Sequence, residues 1–262
     1  MKEVFRHGGR LLALLAVCLL ALQLFFALRI GLMAVLAPQS TSFQRSEAWR
    51  LLVETQRIPW SQQSVPYAQI SPNLKRAVVA SEDAGFAEHS GVEWDALKKA
   101  WQKNQKAEVR AEKLNQPPPG RVAPADKGGK TAAKATKVEP KLVGGSTITQ
   151  QLAKNLFLSG ERTVPRKAQE FVIAMLLEGL LPKQRILEIY LNNVEWGEGV
   201  FGAQAASKHY FHIDAARLSP EAAARLAVML PAPKRFEKNP GSAYVGGRSA
   251  TIVARMGAVQ LP

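Results

Sequence analysis

Glu82 and Glu170 are the two acids whose spacing suggests chemistry. Leu74, Val78 and Glu82 recur every fourth residue, with Ala77 and Ser81 beside them, so Glu82 continues a helical stripe that should face inward. A carboxylate in apolar surroundings holds its proton more tightly, and a base works best with its pKa brought toward the working pH. Glu170 follows Arg166 by one helical turn, with Lys167 adjoining and Arg162 just upstream. Between the two acids lies GGSTITQQLAKN, residues 144–155. Thr147 and Gln150 have the spacing of a capping box, Ile148, Leu152 and Leu156 can face a core, and Thr147, Gln150, Gln151 and Lys154 line the opposite side. Solvated helix faces are mostly Glu, Lys and Arg, whereas amides and hydroxyls beside a lysine suit sugar hydroxyls and an anion. A base for a hydroxyl proton and cations for a departing diphosphate are the parts needed to build a glycosidic bond from a sugar diphosphate. On the residues alone, an ordinary salt-bridged helix start is a respectable alternative account of Arg166 and Glu170. Glu178, in the apolar stretch that follows, reads as a packing carboxylate paired to a buried arginine.

Helices must hold these groups. Ser71-Pro72 supplies a capping hydroxyl and a first-turn proline to the helix that carries Glu82. Pro165 opens a helix that runs to about Leu181, and KQRILEIYLNN begins the next after Pro182. NNVEWGEGVFGAQAASKHYF, residues 192–211, reads as a loop leading into a short helix. Ser219-Pro220-Glu221 opens another that stops at Pro231, and residues 248–256 form the last. There is almost no alternating strand pattern, so a mostly α domain is expected.

The chain has 262 residues, 47% of them hydrophobic, enough for one sizeable domain with appendages and too many for global disorder. A net charge of +14 points to an anionic partner without choosing one. The single cysteine, Cys18, excludes an intramolecular disulfide and a cysteine metal cluster. From Leu11 to Leu28 only Gln23 is polar, and apolar character resumes after Arg29 through Ala37, so 11–37 reads as a membrane anchor. Lys2, Arg6 and Arg10 against Glu3 place residues 1–10 in the cytoplasm and the remainder outside. A cleaved signal peptide is the weaker alternative, because its apolar core normally spans only about 7–15 residues. Residues 38–70, with a small apolar patch at Trp49 and Leu51–Val53, read as an approach segment. Residues 102–143 contain no aromatic, a triple proline and ten Lys or Arg against four Asp or Glu. That stretch is expected to be a flexible basic insertion, either solvated spacer or a holder of anionic lipid or polymer.

With these motifs in order, the chain resembles the peptidoglycan glycosyltransferases, specifically the monofunctional biosynthetic transglycosylases. Residues 82–91, EDAGFAEHSG, look like the family's first motif, and GGSTITQQLAKN like its second. Arg166-Lys167 through Glu170 are similar to the third, and KQRILEIYLN, residues 183–192, to the fourth. The resemblance implies a lysozyme-like, mostly α glycosyltransferase domain over 45–260. It implies a single-pass protein of the cytoplasmic membrane, catalytic domain on the outer face, that polymerises lipid II into β-1,4 glycan with inversion and release of undecaprenyl diphosphate. Carried over by position, Glu82 matches the catalytic base and Glu170 the second essential glutamate. Ser146, Thr147, Gln150, Lys154 and Asn155 match the substrate-cleft motif, Gln151 lies in the same run, and Arg162, Arg166 and Lys167 match the diphosphate side. Asp83 and His89 occupy motif positions for which a structural hydrogen bond is the leading account.

Two departures stand out: the 102–143 segment is long for its place, and the fifth motif is matched only loosely, by Arg248 with Ile252-Val253. No cofactor is expected to be required and no protein-held metal site is expected; Mg or Mn would ride on the diphosphate. The implied partners are lipid II, the nascent glycan strand, the membrane and cell-wall synthesis or division proteins, with no nucleic acid. No transpeptidase activity is expected, since little chain follows the last motif. Two rival readings remain at this point. A glycan-cleaving enzyme would have no use for a cation cluster, and a tethered scaffold would leave Glu82 and Glu170 unexplained.

Overall fold

The computed structural model describes residues 2–115, 145–161 and 163–262, and these fall into two units, 1–92 with 147–262 and, separately, 93–146. The larger unit begins with helices α1 (Lys2–Leu32) and α2 (Ser42–Thr55), strand β1 (Ser61–Gln62) and helix α3 (Pro72–Glu82). The smaller unit carries α4 (Trp94–Asn115). The larger unit resumes with α5 (Ile148–Phe157), α6 (Val164–Leu180), α7 (Lys183–Asn193), β2 (Glu195–Gly197) and β3 (Val200–Phe201). It closes with α8 (Ala203–Phe211), α9 (Pro220–Met229), α10 (Pro233–Phe236) and α11 (Ala243–Met256). The expectation of a mostly α protein holds.

Two packed groups of helices position the site. Helix α3 lies against α9 and α11. Leu74, Ala77 and Val78 recur at helical spacing and are fully buried there, and the small side chains of Ala223, Ala224 and Ala227 on α9 allow close approach. Helix α5 packs against α2, α6 and α7, and its Ile148, Leu152 and Leu156 face the core as their spacing predicts.

Helix α1 includes Arg6–Leu32, long and apolar enough by length and composition to cross a membrane. Its last turns are not free. Phe26, Ile30 and Met33 are buried, α1 packs along α6, and the side-chain amides of Gln23 and Gln169 exchange hydrogen bonds of 3.0 Å in both directions. The helix stops at Leu32 and residues 33–36 form a turn before Pro38, so the outer end of the expected 11–37 span is not helical.

Three expectations need correction. Residues 42–55 are helix rather than approach segment, started by a capping box in which Gln44 N donates to Thr41 Oγ1 at 3.1 Å and Thr41 N to Gln44 Oε1 at 2.9 Å. Of the apolar patch, Leu51 is buried whereas Trp49, Leu52 and Val53 face outward. Residues 195–201 form a hairpin rather than a loop, β2 antiparallel to β3, with β1 parallel on the other edge of β3. Gly199 at its turn has φ +71°, and a Cβ there would sit 1.9 Å from Pro59 O, so only glycine lets β1 approach. Finally, residues 102–115 of the expected flexible insertion continue α4, which is rich in the strong helix formers Ala, Lys, Glu and Gln. Residues 116–143 of that insertion lie outside the described residues.

Candidate active site

Ser71 Oγ accepts from Asn73 N at 3.2 Å and Pro72 fills the first turn, so α3 starts where the sequence indicates and ends with Glu82 as its last residue. Glu82 is half-buried. Its Oε2 accepts from Gln151 Nε2 at 3.0 Å, and Gln151 Oε1 in turn accepts from the buried Tyr190 hydroxyl at 2.9 Å. Burial pushes the Glu82 carboxyl above its ordinary pKa; the bonds from Gln151 and Ser81 pull it down, and the charge of Asp83 adds to the rise. The result is a carboxylate oriented by a neutral amide, with a raised affinity for a proton.

The residues around it form a frame that joins α3 to α5. Asp83 is buried; its Oδ1 accepts from His89 Nε2 at 2.8 Å and its Oδ2 from Ile148 N at 3.0 Å, at the positive end of α5. His89 Nδ1 accepts from Gly91 N at 3.1 Å, which fixes the proton on Nε2. Thr147 Oγ1 donates to Gly91 O at 2.6 Å. Gly91 has φ +84°, and a Cβ there would meet Glu178 Cγ at 2.8 Å, so this turn requires glycine. Glu178 Oε1 accepts from Thr149 Oγ1 at 2.5 Å and from Lys183 Nζ at 2.8 Å, and Lys183 also lies over the Phe86 ring at 4.4 Å. Glu178 is thus a packing carboxylate, with a lysine where the sequence suggests an arginine.

This frame divides the polar face expected on residues 144–155. Thr147 and Gln150 are buried in a reciprocal capping box, Gln150 N to Thr147 Oγ1 at 3.2 Å and Thr147 N to Gln150 Oε1 at 3.1 Å, so neither side chain lines an open cleft. Gln151 turns to Glu82, Asn155 is half-buried and Lys154 is exposed on the last turn of α5. Ser146 lies in the smaller unit, and Arg162 lies outside the described residues.

The second acid sits on α6, the helix packed against α5. Thr163 Oγ1 accepts from Arg166 N at 3.4 Å, and the first turn holds Pro165. Glu170 is 3% exposed; its Oε2 accepts from Arg166 Nη1 at 3.1 Å and its Oε1 from Lys167 Nζ. Arg166 Nε is buried without a hydrogen-bond partner among the described residues. The structure joins Arg166, Lys167 and Glu170 in one cluster, and Glu82, Gln151 and Tyr190 in another. Tyr190 is the functional candidate that motif matching passed over. Its signal was present, since Ile186, Leu187 and Tyr190 share a buried stripe and a buried phenol needs a partner.

The family model for transglycosylases matches residues 51–112 and 127–257. The chain is 48% identical over 243 residues to the biosynthetic peptidoglycan transglycosylase of Burkholderia thailandensis, spanning 93% of this chain and 83% of that protein. It is 49% identical to the protein of the same name from Burkholderia pseudomallei, with the same coverage. It is 47% identical to that of Herminiimonas arsenicoxydans, over 93% of this chain and 92% of the relative.

Proposed function

The chain belongs to the transglycosylase family and is a peptidoglycan glycosyltransferase; we propose that it polymerises lipid II, with Glu82 as the base and the α6 cations as the diphosphate clamp. The observation that carries this reading is the contrast at the two acids. Glu82 is half-buried and hydrogen-bonded by an amide, whereas Glu170 is enclosed by Arg166 and Lys167.

The acceptor sugar hydroxyl gives its proton to Glu82 as its oxygen forms the new bond to the anomeric carbon of the donor. The bond from that carbon to the diphosphate breaks, its electron pair leaving with undecaprenyl diphosphate, and a single displacement inverts the centre to a β-1,4 link. The logic of the step resembles that of an inverting glycosidase, with a sugar hydroxyl in place of water. Arg166 and Lys167, held in place by Glu170, stabilise the charge that develops on the leaving group, with Lys154 and Arg162 as further cations for it. Ser146 and Asn155 serve as polar contacts to the sugars. These donors are cationic or neutral and do not suit a protein-held divalent ion, so Mg or Mn would travel with the diphosphate. Helix α1 serves as a single-pass anchor in the cytoplasmic membrane, its basic end inside and the catalytic domain on the outer face.

Purified protein given lipid II should yield long glycan, and the Glu82→Gln variant none above background. Full polymer yield from Glu82→Gln would sink the base assignment. Shortening of preformed glycan by the unaltered protein would replace polymerisation with cleavage.

A further inference from the structure

Three helices meet at Glu82 through one amide. Gln151 on α5 presents its nitrogen to Glu82 Oε2 at 3.0 Å and its oxygen to Tyr190 on α7 at 2.9 Å. A side-chain amide can turn over, and only its partners decide which end faces which neighbour. Tyr190 is 1% exposed, and among the described residues Gln151 is the one hydrogen-bond partner of its hydroxyl. With the amide oxygen toward Tyr190, the phenol proton has an acceptor and the amide hydrogens point at the carboxylate. Turned over, the amide would aim its oxygen at the carboxylate and leave the buried phenol proton with no acceptor, which protein interiors seldom tolerate.

The other carboxylate oxygen is less engaged. Ser81 Oγ stands 3.5 Å from Glu82 Oε1 but 3.2 Å from Val78 O, so its single proton is shared and its bond to Oε1 is the weaker of the two. We propose that Tyr190 is a positioning residue for Glu82: its proton locks the Gln151 amide with nitrogen toward Oε2, which leaves Oε1 to receive the proton of the substrate. This rests on the reading of Glu82 as the base. It gives Gln151 an orienting role in place of the sugar contact that its position on the polar face suggests. The groups acting on Glu82 are Asp83 on its own segment, Gln151 on α5 and Ser81 beneath it, and the charges of Glu82 and Asp83 both reach Tyr190. Burial, with those two charges adding, holds the Tyr190 phenol well above its ordinary pKa, so it keeps its proton throughout the working range.

The test is Tyr190→Phe in the full chain, reconstituted in phospholipid nanodiscs. The Glu82 carboxyl carbon, assigned by its absence in Glu82→Gln, is titrated by NMR, and polymerisation of lipid II is followed across pH. Losing the lock lets the amide oxygen face Glu82 and favours its protonated form. The Glu82 titration and the acid limb of kcat should therefore both move to higher pH by roughly one unit, a tenfold fall in the ionised fraction on that limb. KM for lipid II should stay within about twofold, because a 1% exposed phenol touches no substrate. Gln151→Met should shift the same titration upward, and the double variant should go no further, since the two act in series. A Tyr190→Phe or Gln151→Met protein whose Glu82 titrates at the wild-type pH overturns the proposal, whatever its melting temperature. The NMR titration needs no turnover, so it separates failure of the lock from failure of Glu82 as base, which polymer yield from Glu82→Gln reports.

Discussion

Helices α3 and α6 each carry an inward glutamate, and the protein treats them oppositely. Glu82 meets one amide and the edge of the core, and burial raises its affinity for a proton. Glu170 is buried more deeply, yet both its oxygens accept from cations. Acids whose surroundings differ in this way are suited to different roles. A carboxylate with both oxygens occupied by charged donors is poorly placed to receive a substrate proton. It is well placed to hold two cations in register for a leaving group. The lesson is that role follows the neighbour: the residue type is the same and the charge beside it differs.

The largest effects should therefore have opposite signs in stability. Glu82→Gln should lower polymerisation by at least about a thousandfold, the scale at which a base and its positioning act together. The same variant should melt higher than the parent. A carboxyl whose folded pKa is raised above its unfolded value favours the fold at low pH and loses that contribution as pH rises through the folded value, so the gain from Gln should appear at neutral pH and vanish in acid. Glu170→Gln should instead destabilise, because Arg166 and Lys167 would be left without their carboxylate. Breaking a buried pair costs about 3–5 kcal/mol. With Lys167 37% exposed, the lower half of that range is expected, or roughly 10 °C in melting temperature. Calorimetry on both variants across pH reads the contrast directly, and matching signs at pH 7 would erase it.

Much of this contrast was legible in residue spacing. Glu82 on a stripe with Leu74 and Val78, and Glu170 one turn from Arg166, both follow from helical periodicity. What spacing could not show was which polar side chains would be consumed by the fold. Thr147 and Gln150 carry both a capping signature and a place on the polar face, and the structure commits them to the cap. The same signature at Thr41 and Gln44 marks the start of α2 within a segment too polar to advertise a helix. The β2–β3 hairpin escaped because strands of three and two residues are too short to show alternation. Lys183 as the partner of Glu178, and Tyr190 behind Gln151, depend on side chains from separate helices, which no single-helix pattern encodes.

A third glutamate sharpens the comparison from outside the site. Glu195 on β2 is 6% exposed, its Oε1 lies 3.6 Å from Lys234 Nζ and has no hydrogen-bond partner among the described residues, and Lys234 also bonds Glu47. Burial, only partly offset by Lys234 and aided by the charge of Glu47, pushes its pKa up to about 7. It stands between the other two cases: buried like Glu170, yet with a cation that is shared. Since its folded pKa is raised, Glu195→Gln should stabilise the protein above pH 7, on the order of a few kcal/mol, with the gain fading as pH falls from about 7 to about 4.5. Melting curves at pH 8 and pH 4.5 check this. A gain that persisted undiminished at pH 4.5 would show that packing rather than charge separates these acids.

The smallest effect probes how the segment of α6 that carries Glu170 is braced. Gln169 precedes Glu170 on α6 and is joined to Gln23 of α1 by the reciprocal amide pair. Interhelical polar contacts in an apolar setting average only about 0.6 kcal/mol, and an isolated amide left in hydrocarbon loses its partner outright. Gln23→Leu should therefore lower the melting temperature by about 2 °C and leave the Glu82 titration unmoved. Gln23→Leu with Gln169→Leu should recover most of the loss, because two apolar side chains leave nothing unsatisfied. If Gln23→Leu instead reduced polymerisation, α1 would be setting the position of the cation cluster. The contrast between the two acids would then depend on α1 as well as on the charges that surround them.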